Sequence, residues 1–168
     1  MQSAIRIEKL KKDEDYRIQT NTNKNEETLI DRINEVSIPI HKIIDFCIGI
    51  QVGGEGNSKD FKARYISTDK ISGEYQMVID GKDYEHFKIN WSGKYIKYGD
   101  WLHRKREEKY FLNHKIIVRQ IGKVPYITID YHGFYTLNTI YNGILISEDY
   151  YLEFIFAIIN SRLIKFLW

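Results

Sequence analysis

Short apolar runs alternate with polar and glycine-containing turns along most of the chain. Runs of this kind between turn residues are typical of β-strands. Residues 4–10 could form one strand near the start of the chain. Later runs predict strands at residues 64–67, 75–80, 86–91, 95–98, 115–120, 126–131 and 139–146.

Patterns with helical spacing predict helices at residues 26–36, 104–112 and about 149–168. Asn25 and Ser147 are the expected N-caps of the first and the last of these helices. Strands and helices together predict an α+β fold, in which a twisted, mainly antiparallel sheet is flanked by helices. The chain would close with an apolar C-terminal helix.

The length of 168 residues predicts one domain with a sizeable buried core. Residues 1–37 would form a polar N-terminal segment and helix of that domain, and residues 38–168 its main part. Because the pattern stops at Trp168 within an apolar helix, we expect a domain excised from a longer enzyme. Cys47 is the single cysteine and no apolar run reaches the length of a membrane span, so we expect a cytoplasmic protein without contact to a membrane.

Positive charge is concentrated in one part of the chain. The whole chain has a formal net charge of only +2, yet residues 92–123 hold nine basic and three acidic side chains. The remainder is therefore slightly acidic. A concentrated basic block is the electrostatic pattern expected of a protein that binds a polyanion, although a solvated helix face gives the same pattern.

The sequence contains no recognisable catalytic motif. The five histidines lack the spacing of zinc ligands, and no nucleophile elbow is present. Asp100, Glu107 and Lys109 loosely match the carboxylate pattern of metal-dependent nucleases, but Glu107 and Lys109 fall on a predicted helix rather than on a strand. We predict no catalytic residue, no metal site and no cofactor in this chain, with a stand-alone nuclease as an alternative.

Four glycines lie within residues 49–57, GIQVGGEGN. The stretch lacks the Gly-Lys-Ser/Thr ending of a phosphate-binding loop and the spacing of a dinucleotide fingerprint. Glycines allow the backbone to approach a ligand closely. Gln51 and Asn57 could therefore contact DNA from this loop, and the alternative is a plain connecting loop.

Residues 101–106, WLHRKR, combine an aromatic side chain with closely spaced basic ones. Lysines and arginines in such a cluster bind DNA phosphates and release counterions. The alternative is the solvated start of a helix. The predicted phosphate contacts are basic residues in and around this stretch: Lys94, Arg104, Lys105, Arg106, Lys115 and Lys123.

Residues 115–123, KIIVRQIGK, place an arginine and a glutamine at the polar end of a stiff apolar strand. Arginine pairs bidentately with guanine and glutamine with adenine. Arg119 could instead form an internal ion pair with Asp130 on the next strand. The amides of residues 138–142 could bind bases or edge a turn. The predicted base contacts are Arg119, Gln120, Gln51, Asn57, Asn138 and Asn142.

The order of these segments resembles the target-recognition domain of type IIG restriction–modification enzymes and adenine-specific DNA methyltransferases, the TaqI-like C-terminal specificity domain. The resemblance begins near residue 38 and rests on IPIHKIIDFCIGIQVG, VIDGKDYEHFKI, KYIKYGD, KIIVRQIGK, LNTIYN and FIFAIINSRLIKFLW. It implies a non-catalytic domain that binds double-stranded DNA sequence-specifically. A linked methyltransferase domain or subunit, which uses S-adenosylmethionine, would modify adenine, with or without a fused endonuclease domain.

The predicted C-terminal helix is apolar on more than one face, which is unusual for a surface helix. One face would pack on the sheet. The other, with Tyr151, Phe154, Ile158 and Leu163, could meet a partner domain or a second copy. A protein-interaction module that docks through this helix is therefore the alternative function.

Overall fold

The computed structural model describes residues 23–53, 63–122 and 126–167. The chain divides into two units, Met1–Pro39 and Ile40–Trp168. The described part of the first unit is helix α1 (Lys24–Val36). Its N-cap is Asn23 rather than the predicted Asn25. The Asn23 side chain accepts hydrogen bonds from the backbone N–H groups of Asn25 and Glu26, and Glu26 accepts one from the Asn23 N–H in a capping box. The predicted strand at residues 4–10 lies outside the described residues.

The second unit begins with a 3-10 turn at Ile40–Lys42 and then alternates short strands and helices. In chain order its elements are β1 (Ile44–Ile48), β2 (Ile66–Ser67), β3 (Tyr75–Ile79), β4 (Tyr84–Glu85), β5 (Lys88–Ile89), β6 (Tyr95–Lys97), α2 (Lys109–Leu112), β7 (Lys115–Arg119), β8 (Ile127–Asp130), β9 (Tyr135–Thr136), β10 (Ile140–Leu145), α3 (Leu152–Ile159) and α4 (Arg162–Leu167).

The strands form two four-stranded sheets and a hairpin. The first sheet has the order β1-β10-β7-β8 and is antiparallel throughout. The second has the order β2-β6-β3-β9, in which only β3 and β9 run parallel. Strands β4 and β5 pair as the hairpin. The predicted α+β class with a mainly antiparallel arrangement is confirmed.

Apolar side chains fill both faces of the first sheet. On one face Ile44, Ile116 and Ile127 pack against Leu152 and Ile155 of α3. On the opposite face lies a second cluster, which includes Ile79, Tyr84, Ile117, Phe134 and Ile140. Adjacent residues of β7 point to opposite faces, as strand geometry requires. Most of the sheet is therefore buried on both sides, and polar side chains reach solvent mainly at its strand ends.

Two predicted helices differ from the structure. Residues 104–108 are not helical, and α2 contains only Lys109–Leu112. The C-terminal helix is divided into α3 and α4 at Asn160 and Ser161. The N-cap of α3 is Tyr151 instead of Ser147, whose hydroxyl accepts a hydrogen bond from the Asp149 N–H further upstream. Within the described ranges, no helix combines the length and apolar character needed to cross a membrane.

A buried ion pair joins the start of β7 to the end of β8. Lys115 and Asp130 are both fully buried, and the Lys115 ammonium contacts the Asp130 carboxylate and donates to the Phe111 carbonyl. Asp130 also accepts hydrogen bonds from the N–H groups of His132 and Phe134. Burial lowers the pKa of Lys115, and the Asp130 charge opposes that shift. The prediction that Lys115 binds DNA phosphate was wrong, because its charge is already neutralised inside the protein.

Removing one member of this pair should destabilise the fold strongly. Asp130→Asn leaves the Lys115 ammonium buried without a counter-charge, which should cost about 3–5 kcal/mol in the free energy of unfolding. Urea denaturation followed by circular dichroism measures the loss. The double variant Lys115→Met with Asp130→Asn should recover part of it, whereas Asp149→Asn on the surface serves as the control. A loss from Asp130→Asn as small as that of the control would contradict this role.

Candidate nucleic-acid interface

Several of the predicted DNA contacts come together at one end of the first sheet. Residues 50 and 51 follow the end of β1, and Gln51 forms a two-way backbone pair with Arg104, with N···O distances of 3.2 and 3.0 Å. The N–H of Asn138 donates to the carbonyl of Ile50 at 2.9 Å. Three segments that are far apart in sequence therefore place Gln51, Arg104 and Asn138 side by side.

The C-terminal ends of β7 and β3 lie at the same end of the first sheet, next to Thr139. Gln120 follows β7 directly, and its N–H donates to the carbonyl of Thr139 at 2.9 Å. The Thr139 hydroxyl in turn accepts a hydrogen bond from the Gly81 N–H, 2.9 Å away, in the turn after β3. Lys94 lies beside this turn, with its ammonium 4.0 Å from the Asp80 carboxylate. We call this surface the polar edge; it consists of Gln51, Lys94, Arg104, Gln120, Asn138 and Thr139.

The backbone of the polar edge is fixed while its side chains remain accessible. Arg104, Gln120 and Asn138 are exposed, and Gln51 is half-buried. Their backbone groups form the hydrogen bonds that connect the segments. A group of amide and guanidinium side chains on a rigid backbone can recognise base edges or phosphates without paying the cost of ordering a loop.

Arg119 lies just behind the polar edge and is held there by aromatic side chains. Its guanidinium carbon is 4.3 Å from the ring centre of Tyr126 and 5.4 Å from that of Tyr84. One terminal nitrogen, Nη2, donates to the Tyr84 carbonyl at 2.8 Å. The Nε of Arg119 is buried without a hydrogen-bond partner. The alternative ion pair with Asp130 was wrong, since Lys115 takes that partner. The half-buried Arg119 packs behind the polar edge, and its predicted base contact stays a prediction.

Asn142 does not belong to this surface. It is fully buried in the middle of β10, where its side-chain amide and the Thr136 hydroxyl exchange hydrogen bonds and the amide also donates to the Cys47 carbonyl at 3.3 Å. A buried amide whose polar atoms are paired cannot reach a base. The prediction that Asn142 contacts DNA was therefore wrong, and its amide instead connects β10 to β9 and β1.

The basic residues after Arg104 are less accessible than the sequence indicated. The Lys105 ammonium lies 2.9 Å from the Asp100 carboxylate and 5.0 Å from the ring centre of Tyr98. Arg106 is half-buried, has a positive φ of 70°, and its Nε is buried without a partner. A positive φ is uncommon for a non-glycine residue. Lys105 remains available for phosphate binding only after exchanging its partner.

Tyrosine hydroxyl groups hold this basic segment in its non-helical conformation. The Tyr98 hydroxyl donates to the Arg106 carbonyl at 2.6 Å, and the Tyr135 hydroxyl donates to Glu108 at 3.1 Å. Burial, together with nearby carboxylates, raises the pKa of Tyr98 to about 12. Burial and then the hydrogen bond to Glu108 raise the pKa of Tyr135. Phenols are protonated at physiological pH in any case, and the raised pKa values keep both hydroxyl groups protonated as donors at more alkaline pH.

The remaining sequence predictions fall in other places. Asn57 and Lys123 lie outside the described residues, as do residues 54–56 of the glycine-rich stretch. Of the residues considered for a nuclease, Asp100 pairs with Lys105, and Glu107 lies 3.6 Å from the Lys109 ammonium. The sequence pattern did not indicate the supporting role of Tyr84 and Tyr126. The strand pairing that places Tyr126 opposite Arg119 is the signal that could have indicated it.

A family model described as the TaqI-like C-terminal specificity domain matches residues 76–168, which is more than half of the chain. The match begins at the second residue of β3, extends through α4 and includes all residues of the polar edge except Gln51. No curated protein matches the chain.

The aromatic support of Arg119 should be measurable as a pairwise coupling. Arg119→Ala removes the cation–π contacts and the hydrogen bond to Tyr84, and should lower the free energy of unfolding by about 1–2 kcal/mol. Tyr126→Leu should lower it by a similar amount, and the double variant should lose less than the two single losses added together. Denaturation of the three variants tests this. Additive losses would show that the two side chains do not stabilise each other.

Proposed function

The chain belongs to the family of TaqI-like C-terminal specificity domains, and on that premise we propose that it binds double-stranded DNA sequence-specifically. It would supply target recognition to a restriction–modification enzyme in the cytoplasm. The catalytic part would be a linked adenine-specific DNA methyltransferase of the type IIG kind, with or without an endonuclease. S-adenosylmethionine would bind to that part and not to this domain.

The observation that carries this proposal is the convergence of Gln51, Arg104, Gln120 and Asn138 on the polar edge. Glutamine and asparagine match the donor and acceptor pattern of adenine in the major groove, and arginine matches guanine or a phosphate. The four side chains come from separate segments whose backbones are hydrogen-bonded to one another or, for Gln120, to the adjacent Thr139. Such rigid placement favours recognition of a defined sequence.

Within the polar edge, we assign phosphate binding to the cations and base recognition to the amides. Lys94 is half-buried, and its ammonium is 4.0 Å from the Asp80 carboxylate, so binding a phosphate at the margin of the surface would replace that contact. Arg104 is exposed and contacts Gln51 only through the backbone. Asn138 precedes Thr139 in the sequence, and the Gln120 N–H donates to the Thr139 carbonyl. Both amides therefore lie next to Thr139, and we take them as the central pair.

A second candidate function, docking onto a protein partner, rests on the apolar surface of α3 and α4. Leu152 and Ile155 face the sheet, whereas Tyr151, Phe154 and Ile158 are 81%, 54% and 43% exposed. Leu163 and Phe166 of α4 are also exposed. Contiguous exposed apolar side chains mark interaction surfaces. We propose that the catalytic part of the same enzyme covers this surface, so that the two functions are compatible.

A matched pair of variants tests DNA recognition. We first expect the unchanged protein to select a preferred duplex from a randomised pool, with an affinity that falls steeply as salt rises. Gln120→Ala should then cost about 1–3 kcal/mol of binding free energy on the selected duplex and little on random DNA. Arg104→Ala should weaken binding to both duplexes equally and lower the salt slope by about one.

Fluorescence anisotropy at several salt concentrations measures these affinities, and a melting curve for each variant verifies that the fold is intact. Both side chains are exposed, so neither substitution should change stability much. The base-reading role of Gln120 is lost if its substitution weakens the selected and the random duplex to the same extent. A salt-independent affinity of the unchanged protein would refute phosphate binding altogether.

The apolar surface of α3 should make the isolated chain self-associate. Light scattering at increasing concentration should show a rising mean mass, and Phe154→Glu should shift the protein to the monomer because it places a charge in the contact. Ile71, which is 67% exposed elsewhere, provides the control Ile71→Glu. A monomeric unchanged protein at all concentrations, or an equal effect of both variants, would argue against this interface.

A further inference from the structure

The turn between β3 and β4 is locked by side-chain hydrogen bonds. The Asp83 carboxylate accepts from the Asp80 N–H at 2.8 Å, and the Asp80 carboxylate accepts from the Lys82 N–H at 2.8 Å. The Asp83 N–H donates to the Asp80 carbonyl at 3.0 Å, and the Gly81 N–H donates to the Thr139 hydroxyl at 2.9 Å. Every backbone N–H from residue 80 to residue 83 thus has a defined acceptor, which fixes the conformation of the turn.

The same turn is attached to the polar edge. Gly81 is buried, and a Cβ atom at its position would lie 3.5 Å from the side chains of both Arg119 and Thr139. Asp83 is only 5% exposed, and its carbonyl accepts a hydrogen bond from the Asn90 N–H at 2.7 Å. The turn therefore packs against Arg119, which lies behind the polar edge, and against Thr139, which belongs to it.

Lys82 is the exposed residue of this turn, and its backbone is fixed by the hydrogen bond from its N–H to the Asp80 carboxylate. Its neighbour Gly81 is bound by Thr139, whose carbonyl also holds the backbone of Gln120. We propose that Lys82 is a DNA phosphate contact at the margin of the polar edge and that Thr139 is the residue that positions it. This inference rests on the proposed DNA recognition and adds a contact to those predicted from the sequence.

The chemistry of the lysine side chain favours a phosphate over a base edge as the ligand of Lys82. A lysine ammonium on a flexible stem acts as a point charge, which suits a phosphate better than the directional pattern of a base edge. The two carboxylates of the turn are engaged by backbone N–H groups, and Asp80 also faces Lys94. A tight turn could close without Thr139, yet the structure ties it to a residue 58 positions away in sequence.

A double-mutant cycle on the full chain tests the proposal with a duplex of random sequence as the probe. Lys82→Ala should weaken binding up to about fivefold at low salt and lower the salt slope by about one. Lys82→Arg should retain both, because it keeps the charge. Lys42→Ala is the matched control, since Lys42 is exposed just before β1, at the end opposite the polar edge.

The positioning role of Thr139 predicts coupling. Thr139→Val removes the hydroxyl that fixes Gly81 and should weaken binding severalfold in the unchanged background but hardly at all beside Lys82→Ala. Independent, multiplying effects of the two substitutions would overturn the positioning role. An unchanged salt slope in Lys82→Ala, while the unchanged protein still binds DNA, would overturn the phosphate contact and leave the proposed function intact. Absence of DNA binding by the unchanged protein would overturn both.

Discussion

The buried pair of Lys115 and Asp130 fixes the strand register on which the rest of the sheet depends. The two residues lie directly opposite each other in β7 and β8, and both are fully buried. A shift of one residue would exchange the side chains that β7 presents to the two apolar clusters and would separate the two charges inside the protein. The register that the pair selects also places Tyr126 opposite Arg119 at the other end of the same strands.

That far end is where the structure becomes suited to binding. The ring of Tyr126 and the carbonyl of Tyr84 hold Arg119, and the stem of Arg119 packs against Gly81. Gln120 follows Arg119 in the sequence, and its N–H donates to the Thr139 carbonyl. The polar edge is thus supported from the core outward. This arrangement is what a site that recognises a defined sequence requires, because side chains on a mobile backbone lose affinity to ordering.

The sequence predicted β3, β6, β7, β8 and β10 well because their apolar runs are bounded by clear turn residues. It did not predict β1 or β9, and the strand predicted at residues 86–91 was wrong, because the chain turns between β4 and β5 there. It also predicted that Gln120 would stand at the polar end of a buried strand, and the structure places it there. It failed for residues 104–108, whose composition favours a helix. That segment is held open by Gln51 and Tyr98, and a local pattern contains no information about such distant partners.

The two erroneous contacts have a common physical cause. Lys115 and Asn142 are polar residues within apolar strands, and from the sequence alone they could point to solvent or be paired inside. Their partners, Asp130 and Thr136, become apparent only when the strands are aligned. A basic residue at the start of one apolar strand and an acidic residue at the end of the next strand indicate an internal ion pair. The sequence did indicate such a pair for Asp130, but with Arg119 instead of Lys115 as its partner.

The central claim is that the polar edge is the surface that contacts DNA. Mapping of backbone amide chemical shifts by nuclear magnetic resonance, while a duplex is added to the protein, tests it most directly. We predict that the largest changes cluster at Gln51, Arg104, Gln120 and Asn138, with little change at Lys42 and His114 near the opposite strand ends. Changes that cluster on α3 and α4, or at the opposite strand ends, would contradict the account.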